Sequence, residues 1–370
     1  MYTDIDNPVK PVFSKPDNTD FFKELNKQVQ KTIVNNHGIQ NRIVFKAVLF
    51  LALYFLCYSS ILFFGDNIYL LFFFYMATGI SMILVFLNAF HDAAHGAVFK
   101  KKAYNEWFVY VLELFGSNSY IWKKRHLLLH HPYPNVQNWD IDVKQSDLVR
   151  IFPQSKWYNF HRYQHIYMWP LYFFYTLNWL FVRDFKDFFC KADNYLKRVT
   201  TIPKIEYFKL FACKLLNLFL MIGLPVIILE QPWYIVLTAF FAMHFAASAF
   251  GVMALLSTHA DEDAQFPQLD DQGAINSTWA AYQVSATKDF CTHSRFANLI
   301  FGGFNHHVAH HLFPTVAHTY YPYITPLIKR FAEEYDLNYR SYPLHQAIYS
   351  HFKLLKKSGQ SENLLSNGEL

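Results

Sequence analysis

Four long apolar runs limit what this chain can fold into more than any other feature of its sequence. They cover residues 43–64, 68–90, 207–229 and 233–256. Each run exceeds the roughly 20 residues that an α-helix needs to cross about 30 Å of hydrocarbon. Only residues 65–67 and 230–232 separate the two members of each pair. The sequence therefore predicts an all-α integral membrane protein with four transmembrane helices in two hairpins.

The composition is that of a membrane protein. Hydrophobic residues make up 53% and aromatic residues 19% of the 370 residues, whereas only 16% are charged, against about a quarter in typical soluble domains. The net charge of +5 is not concentrated in a stripe or a tail, so we expect no nucleic-acid partner. The cysteines are scattered, without the paired spacing of a disulfide framework or a zinc ribbon.

The basic residues predict the orientation of the four helices. Neither hairpin turn contains Lys or Arg, and none occurs between Lys46 and Lys100. Basic residues lie instead near the other ends of the runs, at residues 100–102 and 123–125 among others. Because cytosolic loops carry the excess of Lys and Arg, we expect the turns to face outward. Both termini and the rest of the chain would then be cytosolic.

The remaining sequence divides into three parts. Residues 1–41 are polar, with no apolar core behind a charged start, so we expect a cytosolic N-terminal segment and no cleaved signal peptide. Within it, residues 20–34 have the apolar spacing of a surface helix. Residues 42–345 are expected to form one domain of spans and a cytosolic helical cap. Residues 346–370 are expected to be a tail that is partly disordered.

A further apolar stretch at residues 166–182 is long enough to be considered as a fifth span. Basic residues flank it on both sides, with Arg162 before it and Arg183 after it. One extra crossing would also separate the histidines at residues 91–95 and 126–131 from those at residues 306–311. We therefore expect an interfacial helix here, with further cytosolic or interfacial helices at residues 103–118 and 278–300.

Three short segments far apart in sequence contain two, three and four histidines, and another histidine follows the last apolar run. Four histidines within residues 306–311 are hard to explain by packing. Neutral imidazole suits zinc, copper, iron and nickel, and nine nitrogens are more than one tetrahedral zinc can use. The sequence therefore predicts one site with two metal ions. The candidate ligands are His91, His95, His126, His130, His131, His259, His307, His310 and His311.

Helical spacing predicts how these side chains are presented. Residues four apart lie on one face, so His91 and His95 are expected to bind together. The same spacing would place His126 and His130 together, with the adjacent His131 turned about 100° away toward a second metal. The third cluster would present all three of its imidazoles from one helical turn.

Acidic residues near the clusters are candidate acceptors for the second ring N–H of each ligating imidazole, because such N–H groups usually bond a carboxylate or a carbonyl. These residues are Asp92, Asp140, Asp142 and Asp261. The remaining histidines carry no such pattern. His244 lies within the last apolar run and is expected to be a buried, hydrogen-bonded residue, and His318 is expected to have no special role.

The motifs that are missing narrow the chemistry. The sequence has no His-Glu-x-x-His hydrolytic zinc motif, no Glu-x-x-His pair of carboxylate di-iron bundles and no glycine-rich nucleotide loop. Two metal ions with many histidine ligands, placed beside apolar spans, are suited to activating O₂ for the oxidation of an apolar substrate. This interpretation favours oxidation of an unactivated C–H bond in a lipid.

The motifs His-Asp-x-x-His at residue 91, His-x-x-x-His-His at residue 126 and His-x-x-His-His followed by Leu-Phe-Pro at residue 307 resemble those of the membrane fatty acid desaturases. The likeness is greatest to the front-end, linoleoyl-CoA-desaturase-like branch. It implies a cytosol-facing di-iron centre bound by the nine histidines and an acyl chain in a bent tunnel. It also implies O₂-dependent removal of two hydrogens to leave a cis double bond. The acyl carrier, whether CoA, acyl carrier protein or phospholipid, stays open.

Two departures from the front-end branch affect what the resemblance implies. Members of that branch usually carry Gln where this chain has His307, and many have a fused haem domain, for which residues 1–41 are too few. Electrons are therefore expected from a separate ferredoxin or b-type cytochrome. Its expected docking surface is basic and consists of Lys100, Lys101, Lys102, Lys123, Lys124 and Arg125.

Other functions stay open at this point. A di-iron hydroxylase or ketolase acting on a lipid, an alkane or a carotenoid would use the same scaffold and differ in leaving oxygen on the product. A histidine-rich metal transporter is a more remote alternative, because it would place its ligands within the spans near the membrane midplane.

Overall fold

The computed structural model of the chain describes residues 9–15, 20–143, 146–189, 195–270 and 272–361. Within these residues the fold is helical apart from four two-residue strands, which confirms the predicted all-α class. The strands form two parallel pairs, β1 with β2 and β3 with β4. They are β1 (Val12–Phe13), β2 (Ala274–Ile275), β3 (Asp289–Phe290) and β4 (Ser341–Tyr342).

The α-helices of the described residues are joined by short connections except after α7 and after α14. The first seven are α1 (Asp20–Asn35), α2 (Gln40–Phe64), α3 (Ile68–Val85), α4 (His91–Ala94), α5 (Lys102–Phe108), α6 (Val111–Leu114) and α7 (Ser119–Arg125). The next seven are α8 (Gln164–Tyr172), α9 (Tyr175–Asn178), α10 (Asp184–Phe189), α11 (Tyr195–Val199), α12 (Lys204–Leu218), α13 (Leu224–Ile228) and α14 (Trp233–Leu256). The last five are α15 (Trp279–Ala286), α16 (Arg295–Ile300), α17 (His307–Leu312), α18 (Tyr321–Glu334) and α19 (Leu344–Ser358).

Tighter and wider helical turns join several of these helices. Short 3₁₀ helices occur at His37–Ile39, Asn159–Tyr163, Phe304–His306 and His318–Tyr320. Turns of π-helix occur at Phe86–Phe90, His126–His130, Trp179–Arg183 and Phe219–Gly223. A π-helical turn contains one residue more than an α-helical turn, and such turns are frequently found at functional sites.

In the described part of the chain, four continuous helical stretches are long and apolar enough to cross a membrane, which confirms the four predicted spans. They are His37–Phe64, Ile68–Ala94, Lys204–Ile228 and Trp233–Leu256. The second continues past its predicted end at residue 90, through the π-helical turn Phe86–Phe90 and into α4. The helix thereby carries His91 directly onto the end of the span.

The two hairpin turns lie together at one end of the bundle. The Asp66 carboxylate accepts a hydrogen bond from the Glu230 backbone N–H at 2.8 Å, and the Gln231 side chain donates to the Asp66 carbonyl at 2.6 Å. Asn67 caps α3 by accepting from two backbone N–H groups of its first turn. Because both turns share this end, the opposite ends of the second and fourth spans, which precede His91 and His259, lie on the same side of the bundle.

Helices α3 and α14 touch backbone to backbone at Gly79. A Cβ added to this glycine would lie 2.2 Å from the carbonyl oxygen of Met243, so no larger residue fits without moving a helix. Closer to the site the helices separate, because Ile83 fills the space beside Gly251 with its side chain. The bundle is therefore closed at Gly79 and wider on the side of the histidines.

The stretch predicted as an interfacial helix is not one helix, and it is not among the helical stretches of the described residues that are long and apolar enough to cross a membrane. Pro170 cannot donate a backbone hydrogen bond, and after Tyr172 the chain continues as α9, a π-helical turn and α10. Thr176 lies 2.9 Å from His244, which is in the middle of the fourth span. The Arg183 side chain then donates to the Ile141 carbonyl in the cap. The segment thus extends from the cap to the middle of α14 and then returns to the cap.

Two boundary predictions need correction, and one is confirmed. The tail expected from residue 346 begins as the amphipathic helix α19, in which His351 is buried and lies 2.8 Å from the Ala260 carbonyl. The expected helix at residues 278–300 is divided, because β3 separates α15 from α16. Helix α1 confirms the helix predicted at residues 20–34. Residues 1–8, 16–19 and 362–370 lie outside the described part of the chain.

Candidate metal centre

The fold brings the nine predicted histidines together in two groups. Within each group the candidate ligand nitrogens lie within 4.8 Å of one another. We call them the five-histidine group and the four-histidine group. The five-histidine group consists of His91, His95, His126, His131 and His310. The four-histidine group consists of His130, His259, His307 and His311.

The spacing of the nitrogens suits coordination of a metal ion. Two nitrogens bound about 2.1 Å from one ion and at right angles to each other would be about 3.0 Å apart. In the five-histidine group, the Nε2 of His126 is 3.1 Å from the Nε2 of His91 and 3.0 Å from that of His131. In the four-histidine group, the Nε2 atoms of His259 and His307 are 2.7 Å apart. Both groups therefore present converging nitrogens.

Six buried ring nitrogens of the nine histidines have no hydrogen-bond partner among the described residues. They include Nε2 of His95 in the five-histidine group and Nε2 of His311 in the four-histidine group. A buried polar atom without a partner costs about 1–3 kcal/mol, so native folds rarely leave one unsatisfied. One metal ion in each group would provide the missing partner. The residues present thus fit a two-metal site.

Burial favours the neutral form of most of these imidazoles, which is the form that binds a metal. It lowers the pKa of His259 to about 3, and the neighbouring His130 lowers it further. Burial likewise lowers the pKa of six further ligand candidates outside the spans, assisted by the surrounding imidazoles. They are His95, His126, His131, His307, His310 and His311. A neutral ring keeps a lone pair free for a metal ion.

A π-helical turn divides the second cluster differently from the prediction. The backbone N–H of His131 donates to the carbonyl of His126, five residues earlier, at 3.0 Å. This wider turn places His126 and His131 together in the five-histidine group, whereas His130 belongs to the four-histidine group. The expectation that His126 and His130 would share a face was wrong, because it assumed α-helical geometry.

The third cluster contributes to both groups from the short helix α17. His307 and His311, four residues apart, lie in the four-histidine group, and His310 lies in the five-histidine group. The start of this helix is fixed by the Asp289 carboxylate, which accepts from the Val308 backbone N–H at 2.8 Å. One helical turn therefore connects the two groups.

Gly302 allows the third cluster to approach the second span. Its φ angle is +56°, and a Cβ there would lie 2.0 Å from the Leu87 carbonyl oxygen. Leu87 belongs to the π-helical turn that precedes His91. Only glycine adopts this conformation while letting two backbones touch, so it sets the distance between the first and third clusters.

Two of the predicted carboxylates hold imidazoles of the site. The Nδ1 of His130 donates to Asp140 at 3.0 Å, and the Nδ1 of His126 donates to Asp142 at 3.2 Å. Burial opposes the charged form of His130, but the Asp140 carboxylate outweighs it and raises the pKa of His130. Each carboxylate fixes the tautomer with Nε2 free to bind a metal. The structure thus brings Asp140 and Asp142 to the site as expected.

Asp92 lies at the site but holds a different histidine. Its carboxylate is 3.8 Å from Nδ1 of His91, whereas it accepts from both the backbone N–H and Nδ1 of His318, at 2.9 and 3.0 Å. The Lys46 ammonium donates to Nε2 of His318 at 2.7 Å. Sequence reasoning missed His318 and Lys46. The only available signal was that His318 follows the third cluster closely.

Gln283 is another residue of the site that sequence reasoning missed. Its side-chain carbonyl accepts from Nδ1 of His311 at 2.9 Å, and its amide donates to the His131 carbonyl at 3.2 Å. It therefore contacts one histidine from each group. An isolated glutamine in helix α15 carries no sequence signal that could have identified it.

Asp261 does not contact the histidines, so its expected role was wrong. Its carboxylate is fully buried and pairs with Arg340 at 2.7 Å and with Lys288 at 3.1 Å. Helix α14 ends at Leu256, so the side chains of residues that follow His259 do not have to point toward the same site as His259. Asp261 instead joins the segment after the fourth span to the C-terminal part of the cap.

The predicted basic docking surface also needs correction. Arg125 is fully buried and pairs with Asp142 at 2.5 Å and with Asp187. It therefore belongs to the support of His126 and not to the surface. The other five basic residues remain accessible: Lys100, Lys101 and Lys102 are exposed, and Lys123 and Lys124 are half-buried. They form what we call the basic surface.

A small pocket connects the basic surface with the five-histidine group. It has a volume of about 350 Å³ and is lined by His95 and His131 together with Lys102, Lys123 and Glu106. The pocket approaches the histidines from the side of these charged residues, and its lining shares no residue with that of the larger cavity.

A cavity of about 790 Å³ reaches the histidines from the bundle. Four of the nine candidate ligands contribute to its wall, namely His126, His130, His259 and His307. Its volume lies within the range of small-molecule sites, which is about 300–1,000 Å³. Much of its wall is apolar and includes Met82, Ile83, Phe86, Leu87, Phe115, Trp179 and Leu255. An apolar molecule in this cavity would have its C–H bonds next to both histidine groups.

Comparisons with known proteins agree with this arrangement. The sequence profile of the family described as fatty acid desaturase matches residues 67–343. An acyl-lipid (8-3)-desaturase of Physcomitrium patens is 30% identical over 358 residues, covering 95% of this chain and 74% of that protein. An sn-1 linoleoyl-lipid 6-desaturase of Synechocystis sp. is 29% identical, covering 77% of this chain and 80% of that protein. Another from Arthrospira platensis is 27% identical, covering 91% and 92%. The chain therefore belongs to the fatty acid desaturase family and is an oxidoreductase that introduces double bonds into acyl chains.

Proposed function

We propose that this desaturase holds one iron ion in each histidine group and acts on the acyl chain of a membrane lipid, using O₂ and electrons from a separate carrier. The observation that carries the proposal is the junction of both histidine groups with the apolar cavity at His126 and His130. The names of the relatives, which specify acyl-lipid and linoleoyl-lipid substrates, favour a lipid-bound chain over acyl-CoA or acyl carrier protein.

When bound, the two iron ions would supply the oxidising power that removes two hydrogens from neighbouring carbons with O₂. The nine histidines of the two groups would be the ligands. The carboxylates of Asp140 and Asp142 would hold the rings of His130 and His126 in the orientation that leaves Nε2 for the metal. The side chain of Gln283 would do the same for His311.

Aromatic residues would keep water away from the reacting carbons. The Trp122 ring stacks on His126 with centroids 4.5 Å apart, and the Phe304 ring lies 4.7 Å from that of His91. Phe86 packs against the edge of Trp122 and lines the cavity. A water-poor site strengthens electrostatic interactions and limits side reactions of an activated oxidant.

The orientation in the membrane is part of the proposal. The hairpin turns contain no Lys or Arg, whereas the basic surface lies beyond the opposite ends of the spans. The positive-inside rule then favours histidine groups and termini on the cytosolic side. A soluble electron carrier could reach the site from there.

The electron donor would be an acidic redox protein such as a ferredoxin or a b-type cytochrome, docked on the basic surface. Lys102 and Lys123 line the pocket that leads to His95 and His131, so a donor there would be near the five-histidine group. Complementary charge would speed the encounter.

The test is expression in a host with a simple lipid profile, followed by gas chromatography and mass spectrometry of its acyl chains. We expect new cis-unsaturated species, absent for a variant with His307→Ala and His310→Ala, which removes one ligand from each group. The exposed His293→Ala variant is the matched control and should retain them. Hydroxylated or keto products in place of alkenes would overturn desaturation and favour a hydroxylase or ketolase.

A further inference from the structure

A buried histidine lies in the middle of the fourth span, away from both histidine groups. His244 is the twelfth of the 24 residues of α14, and only 1% of its surface is exposed. An ionisable residue at this depth is costly and is by default a candidate for function. The proposed reaction at the metal centre gives it no role.

Hydrogen bonds hold the His244 ring from one side only. Its Nδ1 lies 2.9 Å from Oγ1 of Thr176, which in turn lies 2.9 Å from Oγ of Ser248. The Thr176 backbone N–H also donates to Ser248 at 3.0 Å. The other ring nitrogen of His244, Nε2, is buried without a partner among the described residues. The ring is thus fixed in position, and its Nε2 atom has no partner among the described residues.

His244 and Thr176 both line the apolar cavity. The next cavity-lining residue along α14 is Gly251, so His244 is the one farthest from the metal centre on this helix. The contact of Gly79 with Met243, the neighbour of His244, closes the space between α3 and α14 at this level. These residues therefore form the far end of the cavity.

The depth of this end suits one acyl chain. His244 and Leu256, the last residue of α14, are 12 residues apart, which corresponds to about 18 Å of helix. Half of a hydrocarbon core about 30 Å thick is about 15 Å, the space that the acyl chains of one leaflet occupy. The polar head of a lipid must stay near water at the cap. The methyl end of a bound chain would consequently approach His244.

We propose that His244, held by Thr176 and Ser248, is a polar stop that sets the maximum length of the acyl chain beyond the reacting carbons. The inference rests on the proposed function of the cavity. A longer chain would have to push the His244 ring aside and break its hydrogen bonds to Thr176, which in turn bonds Ser248. Breaking buried hydrogen bonds is unfavourable, so chains that end before His244 are preferred.

The test is the product profile of cells supplied with acyl chains that differ by two carbons. For His244→Ala, which removes the polar atom and creates space, we expect the ratio of longer to shorter products to rise about tenfold, since two methylenes gain burial. The double-bond position counted from the carboxyl end should not change. His244→Gln keeps a polar group and should keep the ratio. The control Phe241→Ala lies on the same helix but outside the cavity.

The outcomes separate this inference from the function on which it rests. An unchanged ratio in active His244→Ala overturns the inference while leaving desaturation intact. If His244→Ala yields no product, Thr176→Val removes the hydroxyl that holds the ring and is expected to shift the ratio in the same direction. An unchanged ratio in active Thr176→Val would then overturn the inference. Absence of unsaturated products from the unmodified chain would overturn the proposed function instead.

Discussion

His126 and His131 contribute to the same histidine group although they are five residues apart, because the His131 backbone N–H bonds the His126 carbonyl across a π-helical turn. The turn lets His130, which lies between them, contribute to the other group. In an α-helix, residues four apart would be aligned and this division would be lost. The extra residue is therefore what allows one segment to supply both groups.

Removing that extra residue should disrupt both groups at once. Deletion of Leu128, the exposed middle residue of the π-helical turn, shortens the separation of His126 and His131 from five residues to the α-helical four. We expect iron content to fall by at least half and desaturation to disappear. Inductively coupled plasma mass spectrometry of the purified protein measures the iron. The Leu128→Ala variant keeps the turn and should retain both ions, and normal iron in the deletion variant would contradict the role of the π-helical turn.

The carboxylate of Asp140 is predicted to support metal binding through His130. The Asp140→Asn variant keeps the shape but weakens the acceptor for the His130 Nδ1–H. Loss of such a partner typically costs 10–100-fold in metal affinity or activity, and we expect a decrease of that order. Metal affinity is measured by competition with a chelator. The exposed Asp263→Asn variant should behave as the unmodified protein. Equal affinities for all three proteins would refute the role of Asp140.

Asp261 is predicted to affect stability and not metal binding. The Asp261→Ala variant leaves Arg340 and Lys288 buried without their carboxylate. Removing one member of a buried ion pair typically costs about 3–5 kcal/mol, so the protein should unfold at a lower temperature. Thermal unfolding in detergent measures this change. The iron bound per folded chain should stay constant. Loss of iron from folded protein would contradict this prediction and indicate that Asp261 supports the metal site.

The basic surface is predicted to govern electron delivery. In the double variant Lys102→Glu and Lys123→Glu, we expect reduction by an acidic carrier to slow about tenfold at low salt, with less difference at high salt, because exposed charges mainly affect association. Stopped-flow absorbance of the carrier measures the rate. Reduction by a small uncharged chemical reductant should be unchanged.

The matched control for this surface is Lys329→Glu, an exposed lysine of helix α18 outside the basic surface. It should not alter the rate. If it slows reduction as much as the double variant does, the net charge of the protein would explain the effect, and docking at the pocket of His95 and His131 would not.

The sequence was sufficient to predict the spans and the nine clustered histidines. Apolar runs of more than about 20 residues have few alternatives, and imidazoles at short spacings are rarely needed for packing. The prediction did not extend to how the histidines are divided between the groups. That division depends on the π-helical turn at His126–His130, and the turn depends on tertiary packing that spacing alone does not encode.

Hydrogen-bond and ion-pair partners from distant segments could not be predicted from the sequence either. Asp92 is next to His91 but bonds His318, and Asp261 is near His259 but pairs with Arg340. Arg125 belongs to a run of three basic residues, yet it alone is fully buried. In each case the direction of the side chain is set by packing between remote elements, which sequence neighbours do not reveal.

The most direct test of the two-metal account is the iron content of variants that remove two ligands from one group at a time. One variant carries His126→Ala and His310→Ala in the five-histidine group, and the other carries His259→Ala and His311→Ala in the four-histidine group. We predict about two irons per chain in the unmodified protein and about one in each variant, with desaturation lost in both. A single iron in the unmodified protein, or two in either variant, would contradict the account.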